Sequence, residues 1–382
     1  MSTTPTGIGI VGCGVISEAY AAKLASIPDV AVVACADLVP ERAQELARKH
    51  GIPLALEPEK LLRHPDVEVV LNLTIPAVHA QVAMAALEAG KSVYGEKPLA
   101  LGFDDGVRLL ERAARAGLRI GCAPDTFLGA GIQTCRKLID DGAIGEPVAA
   151  NAFFLSPGPE RWHPRPQIFY QRGAGPLFDL GPYYLTALVA LLGPARRVTS
   201  SARITHARRE ITSQPLAGTM LDVEVPTHVA SVIDFRAGPV ATLVTSFDVQ
   251  AARARNIEIY GTEGTLAVPD PNTFGGPVQL RRRGDTEWSD VALSHANAAQ
   301  SRGIGLVEMV RALRAGRKHR ASGELACHVL ELMEKIITAS RTGRHRAVET
   351  RCERPAALAA GLPDDVFELD PSPASTREGA PT

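Results

Sequence analysis

Glu96-Lys97-Pro98 closes the run Lys91-Ser92-Val93-Tyr94-Gly95, which reads as a short buried strand. Ligands of open α/β sheets bind just outside the carboxyl ends of the strands, so a lysine fixed there is placed for chemistry rather than solvation. Pro98 biases Lys97 toward an extended backbone and turns its side chain away from any following helix. Upstream, Gly12-Cys13-Gly14-Val15-Ile16-Ser17 fits the pattern G-x-G-x-x-[G/A/S] between a strand and a helix. Gly12 permits the tight turn, Gly14 lets a pyrophosphate approach the backbone, and the small Ser17 allows close helix–strand contact. Free N–H groups at the helix start, Val15 and Ile16, then hold the phosphates. Asp37 falls about 20 residues further on, at the end of the second strand, where it accepts bonds from ribose hydroxyls and repels a 2′-phosphate. Leu38, not arginine, comes next. NAD is therefore expected rather than NADP. Thr74 and Pro76 end another strand on the same sheet edge and are expected cofactor contacts, together with Glu96 and Lys97. His79, one turn on, reads either as a cofactor contact or as a capping or packing residue.

The elements that must position these groups follow from the hydrophobic rhythm. Strands at 7–11, 30–37, 68–73, 91–95 and 119–123 alternate with helices at 15–26, 40–50, 77–89 and 104–116. Such alternation gives right-handed βαβ units and a parallel sheet with helices on both faces. From residue 130 the rhythm changes. A helix at 130–141 leads to a strand at 148–155, a Pro-rich aromatic loop at 156–175 and a helix at 182–192. Short β-branched segments follow between 198 and 291, separated by turn residues, and two helices at 299–315 and 324–342 finish the fold. The expected class is α/β: an N-terminal Rossmann doubly wound parallel sheet plus a C-terminal α+β domain with a large, mainly antiparallel open sheet. The expected division is 1–125 for dinucleotide binding, 126–350 for substrate binding and oligomerisation, and 351–382 as a tail rich in Pro, Ala, Ser and Asp.

A length of 382 residues allows two domains with real cores. Net charge near −1 argues against nucleic acid or an anionic membrane as partner. The apolar runs, such as 187–192, fall well short of the ~20 residues of a membrane span. Residues 1–6 read as the approach to a first strand, not as a signal peptide. Six scattered cysteines without metal-type spacing indicate a reduced cytoplasmic setting, no metal site and no disulfide framework. Within the aromatic loop, Arg161, Trp162 and His163 are the substrate-side candidates, since Trp offers a face for a sugar ring and Arg or His can bind hydroxyls. Asp125, after the last strand of the first series, is expected to line the cleft between the domains. His295, His319 and His328 read as surface or helix-packing residues.

With Gly12-x-Gly14-x-x-Ser17, Asp37, Glu96-Lys97-Pro98 and a second β-rich domain, the chain resembles the Gfo/Idh/MocA family over roughly residues 7–350. The resemblance implies a nicotinamide cofactor, a lysine near the reacting carbinol, and a homodimer or homotetramer packed through the open face of the second sheet. It implies hydride transfer between nicotinamide and a secondary alcohol or ketone of a sugar, cyclitol or related polyol. Two alternatives stay open: redox-neutral glycoside cleavage through transient sugar oxidation, and a non-catalytic NAD-bound sensor. The family's D-x-G-x-H element matches Asp179-Leu180-Gly181-Pro182-Tyr183, with tyrosine in the histidine position as in some relatives. Lys97, Asp179 and Tyr183 are thus the implied catalytic set, and all three are also implied substrate contacts. Pro182 suits a first helical position and puts Tyr183 in the first turn. The helix end and the Lys97 ammonium are each expected to favour tyrosinate, which matters because a phenol near pKa 10 is a poor base at neutral pH.

Overall fold

The computed structural model describes residues 4–368. Six parallel strands, β1 (Thr6–Val11), β2 (Val30–Ala36), β3 (Leu54–Leu56), β4 (Val69–Asn72), β5 (Ser92–Gly95) and β6 (Ile120–Cys122), form the first sheet in the order β3-β2-β1-β4-β5-β6. Chain order reverses at β1 and β4, so a crevice opens there at the carboxyl ends of the strands. The helices between them are α1 (Val15–Leu24), α2 (Pro40–His50), α3 (Pro58–Arg63), α4 (His79–Glu88) and α5 (Phe103–Ala116). β1 and β4 are buried throughout, as expected of strands covered on both faces. The sequence reading passed over β3 and α3, and placed the start of α4 at residue 77. The structure gives Pro76–Val78 as a separate 3₁₀ turn ahead of α4.

The second sheet has nine strands in the order β16-β15-β14-β13-β7-β12-β11-β8-β17. They are β7 (Pro147–Leu155), β8 (Ala195–Arg203), β11 (His228–Phe235), β12 (Val240–Ser246), β13 (Ile257–Gly261), β14 (Gly264–Val268), β15 (Val278–Arg282), β16 (Ser289–Val291) and β17 (Arg346–Ala347). A side ribbon pairs β9 (Arg208–Glu210) with β10 (Met220–Asp222). Pairing is antiparallel except between β7 and β12. The remaining helices are α6 (Ala130–Asp140), α7 (Pro176–Asp179), α8 (Gly181–Leu192), α9 (Ile304–Arg314) and α10 (Gly323–Thr342).

α8 is apolar on all sides and every residue from Gly181 to Leu192 is buried. A helix of that character belongs in a core. It is held between α6, α10 and β7, so the short α7 and the first turn of α8 give a rigid support to Asp179 and Tyr183. Residues 351–368 pack against the body without forming helix or strand. Arg354 Nε donates to Ala190 O at 3.1 Å, Leu358 N donates to Gln133 Oε1 at 2.9 Å, and Phe367 is buried. Residues 369–382 of the expected tail, and residues 1–3, lie outside the described residues. Among the described residues no helix is long and apolar enough to cross a membrane.

Candidate active site

The turn after β1 is built around Gly12, whose φ is +97° and whose missing Cβ would sit 2.6 Å from the carbonyl of Leu73. A side chain there would collide with backbone, so glycine is obligatory on two counts. Gly14 precedes α1 in extended conformation, and a Cβ on it would meet nothing within 4 Å. Open space therefore faces the first-turn amides of α1, which have no partner within the helix. Val15 is 96% exposed beside them. Ser17 Oγ donates to Gly14 O at 2.6 Å and braces the turn. Asp37 Oδ2 accepts from Cys13 N at 2.8 Å and Oδ1 from Val39 N at 2.9 Å, which fixes a partly exposed carboxylate beside the glycine turn. A cradle open to phosphate with a carboxylate at its rim fits a dinucleotide without a 2′-phosphate.

Thr74 and Pro76 stand on the same rim. Asn72, which the sequence reading passed over, orders this edge: its side chain donates to His79 O at 3.0 Å and accepts from Thr74 Oγ1 at 2.6 Å. Of the two readings of His79, its contacts match the packing one. Its ring is buried, with Nδ1 at 2.7 Å from Pro98 O and Nε2 at 3.0 Å from Thr74 O. Both nitrogens face backbone carbonyls beneath the cleft, so the ring ties the 74–76 and 97–98 turns together. Glu96 Oε1 accepts from Tyr20 OH at 2.8 Å, linking β5 to α1, and Oε2 accepts from Lys97 N at 3.1 Å.

Lys97 and Asp179 meet across the two sheets. Lys97 Nζ donates to Asp179 O at 2.7 Å and to Asp179 Oδ1 at 2.9 Å, and it lies 5.3 Å from the centroid of the Tyr183 ring. Burial alone would lower the Lys97 pKa, but Asp179, Tyr183 and Glu96 outweigh it and hold the ammonium above the ordinary lysine value. For Tyr183 the balance is opposite to the expectation. Burial raises its pKa, and the pull of Lys97 and Arg302 toward phenolate does not offset that desolvation. The resting pair is ammonium and neutral phenol. Arg302, in the loop before α9, is near enough for its charge to favour the Tyr183 phenolate, and it donates to Asn272 Oδ1 at 2.7 Å. No local motif marks either residue in the sequence. Tyr184 turns away into the core, where its hydroxyl accepts from Asn256 Nδ2 at 2.8 Å.

Asp125 corrects an expectation. It is 1% exposed, and its Oδ2 accepts from Gly303 N at 2.8 Å and Gly305 N at 3.0 Å. The carboxylate caps the start of α9, and burial pushes its pKa up to about 6 despite those two amides. It is a structural cap, not a cleft residue. In the aromatic loop, Trp162 is 67% exposed and lines a hollow with Lys97, Asp179, Tyr183, Phe169 and Asn272. His163 faces away, stacked edge-on against Phe169 at 4.9 Å with Nδ1 accepting from Arg165 N. Arg161 is exposed and bonded to Gln250. Behind this wall Arg209 joins Glu160 Oε1 at 2.6 Å and Asp248 Oδ1 at 2.6 Å, anchoring the loop to the second sheet. A larger hollow of about 620 Å³, among Arg119, Arg320, Arg351 and Glu353, contains none of the expected site residues.

Two halves of one family account for this geometry. The model described as oxidoreductase family, NAD-binding Rossmann fold, matches residues 6–123, and that of the GFO/IDH/MocA C-terminal domain matches residues 132–267. The chain belongs to the Gfo/Idh/MocA family. It is thus an NAD-binding oxidoreductase. The family member 1,5-anhydro-D-fructose reductase of Ensifer adhaerens is 25% identical over 90% of this chain and 98% of its own length. Inositol 2-dehydrogenase 3 of Saccharopolyspora erythraea is 27% identical over 71% of this chain and 75% of its own. An NAD binding oxidoreductase of Klebsiella pneumoniae has the same fold, with a TM-score of 0.79 at 24% identity, covering 91% of this chain and 100% of that one.

Proposed function

We propose that this oxidoreductase interconverts a secondary alcohol and a ketone on a sugar, cyclitol or related polyol. The observation that carries the reading is the clasp of Lys97 Nζ by Asp179, with the Tyr183 ring beside it. Bound NAD supplies the hydride acceptor, and its reduced form the donor. The first-turn amides of α1 hold the pyrophosphate and Asp37 the adenosine ribose, with Thr74, Pro76 and Glu96 along the cleft. Lys97, as an ammonium, donates a hydrogen bond to the substrate oxygen and stabilises negative charge that develops there. Tyr183 holds the proton that this oxygen gains on reduction and takes it back on oxidation. Asp179 fixes Lys97 and lies within reach of a neighbouring hydroxyl. Trp162 and Phe169 offer ring faces to a saturated ring, while Asn272 and Arg302 supply polar contacts.

Two further elements belong to this reading. The face of the second sheet away from the helices carries Asn151, Phe153, Val232, Val240, Thr242 and Tyr260 at register positions that align across β7, β11, β12 and β13, which supports a homo-oligomer packed there. The separated cysteines fit a reduced, cytoplasmic setting. The test of the reaction is absorbance of NADH formed from NAD across monosaccharides, their acids, inositols and glycosides. Absence of turnover with every member in either direction would overturn it.

A further inference from the structure

The hollow beside Trp162, about 380 Å³, adjoins a second one of about 310 Å³. The two share Phe154, Leu180 and Asn272, and every residue lining the second belongs to the second domain. It therefore lies away from the turns assigned to the cofactor. Its wall has an apolar side, built from β7 and Leu180, and a polar side. Asp270, in the turn after β14, is half-buried. Its Oδ1 accepts from Asn272 N at 2.9 Å, and its Oδ2 has neither a hydrogen bond nor an ion pair among the described residues. Asn256 Nδ2 donates to Tyr184 OH at 2.8 Å, which leaves the Asn256 carbonyl oxygen and the Tyr184 hydroxyl hydrogen without partners among the described residues. Burial raises the Tyr184 pKa and the nearby Asp270 charge adds to the rise, so the phenol stays a donor. Asn272 Oδ1 is taken by Arg302, and its amide nitrogen is likewise unpartnered among the described residues.

Two acceptors and two donors with unused capacity thus line one hollow beside aromatic rings. An ionised carboxylate only accepts, so Asp270 asks for a ligand that donates. A wholly apolar group would strand the carboxylate, and an anion would be repelled by it. A ring with C–H faces for the aromatic side and hydroxyls, each both donor and acceptor, for the polar side meets every requirement. We infer that this hollow binds a second saccharide unit, so that the preferred substrate is a disaccharide rather than a free monosaccharide. The inference rests on the polyol reading for the reacting end. The reacting ring lies with Lys97, Tyr183 and Trp162, the glycosidic oxygen passes Phe154 and Leu180 where the hollows meet, and two neighbouring hydroxyls of the second ring lie against Asp270.

The test uses the full chain with NAD bound and three pairs of probes: cellobiose with methyl β-glucoside, maltose with methyl α-glucoside, and lactose with methyl β-galactoside. Dissociation constants are measured by calorimetry and turnover by NADH absorbance. For at least one pair the disaccharide is expected to bind roughly tenfold or more tightly than the methyl glycoside, the usual worth of hydrogen bonds to a charged group. Asp270→Asn keeps an acceptor for Asn272 N and removes the charge. Ala254→Trp places a bulky ring in the hollow from an exposed loop position. In each variant the ratio is expected to fall toward one. Equal affinity within every pair, no binding of any disaccharide, or a preference that survives in either variant overturns the subsite. So does glucosamine binding more tightly than glucose in the parent but not in Asp270→Asn, because the carboxylate would then be a site for an ammonium group. NADH formation from monosaccharides with no disaccharide preference removes the subsite and leaves the reaction standing. Disaccharide-selective binding with no NADH formed removes the reaction and leaves the subsite.

Discussion

Lys97 Nζ donates to two of the three oxygens of Asp179, the backbone carbonyl at 2.7 Å and carboxylate Oδ1 at 2.9 Å, so a side chain from the turn after β5 is gripped by the last residue of α7. The grip sets where the ammonium's third hydrogen points. Lys97→Ala is expected to lower kcat by about 10²–10⁴-fold, the usual worth of a positioned proton-transfer or electrostatic group, with a small change in the KM for NAD. Asp179→Asn keeps the carbonyl contact and is expected to lose less. Steady-state kinetics of both variants check the ranking, and an unchanged kcat in Lys97→Ala would remove the lysine from the chemistry.

Proton bookkeeping gives a pH prediction. Lys97 and Tyr183 both stand above their ordinary values, the first through its carboxylate partner and the second through burial. Groups so shifted stay protonated at pH 7 and serve as donors. Reduction should therefore proceed without a neutral-pH limb, while oxidation, which needs a proton acceptor, should accelerate as pH rises from 7 to 10. Tyr183→Phe should flatten the alkaline rise. Profiles of kcat/KM in both directions test this. An oxidation profile governed by a group near pH 7 and indifferent to Tyr183→Phe would contradict it.

Cofactor choice turns on Asp37, whose two oxygens are fixed by Cys13 N and Val39 N. In the proposed mode of binding, substituting Asp37→Ser removes the charge beside the ribose. Loss of a charge-assisted hydrogen bond is expected to reduce kcat/KM for NAD by about 10–100-fold, and activity with NADP should rise as the repulsion of its 2′-phosphate disappears. The comparison of the two cofactors in parent and variant decides it. A parent protein that already prefers NADP would show that another group reads the ribose.

Legibility in the sequence followed the range of the forces involved. The Gly12–Ser17 turn was readable because local backbone geometry dictates it, and Lys97 because strand ends define the ligand edge. Asp125 was misplaced because its partners, Gly303 and Gly305, lie 178 and 180 residues away. His79 stayed between two readings, since only the fold reveals that both ring nitrogens face carbonyls. The direction of the Tyr183 shift depends on how thoroughly α8 is enclosed, which a helix pattern alone does not report. Arg302 and Asn272 sit in loops without periodicity, and β3 is three residues long, too short to leave a rhythm.

The interior also predicts acid sensitivity. His328 is fully buried; its Nε2 accepts from Ala195 N at 3.1 Å, and its Nδ1 lies 2.7 Å from Thr350 Oγ1, whose own hydrogen goes to Glu331. These partners select the neutral ring with the proton on Nδ1. Burial, only partly opposed by Glu331, lowers its pKa to about 4 from an unfolded value near 6.5. The unfolded chain thus binds the extra proton first. Stability from this residue is complete above pH 6.5 and is lost as pH falls toward 4, a difference of roughly 3 kcal/mol. Asp125, pushed up to about 6, acts in the opposite sense over part of that range. The contribution is therefore read as the difference between the parent and His328→Gln in urea unfolding from pH 7 to pH 4. The variant should be less stable at pH 7 and lose less on acidification; parallel curves would show that His328 does not titrate between the folded and unfolded states.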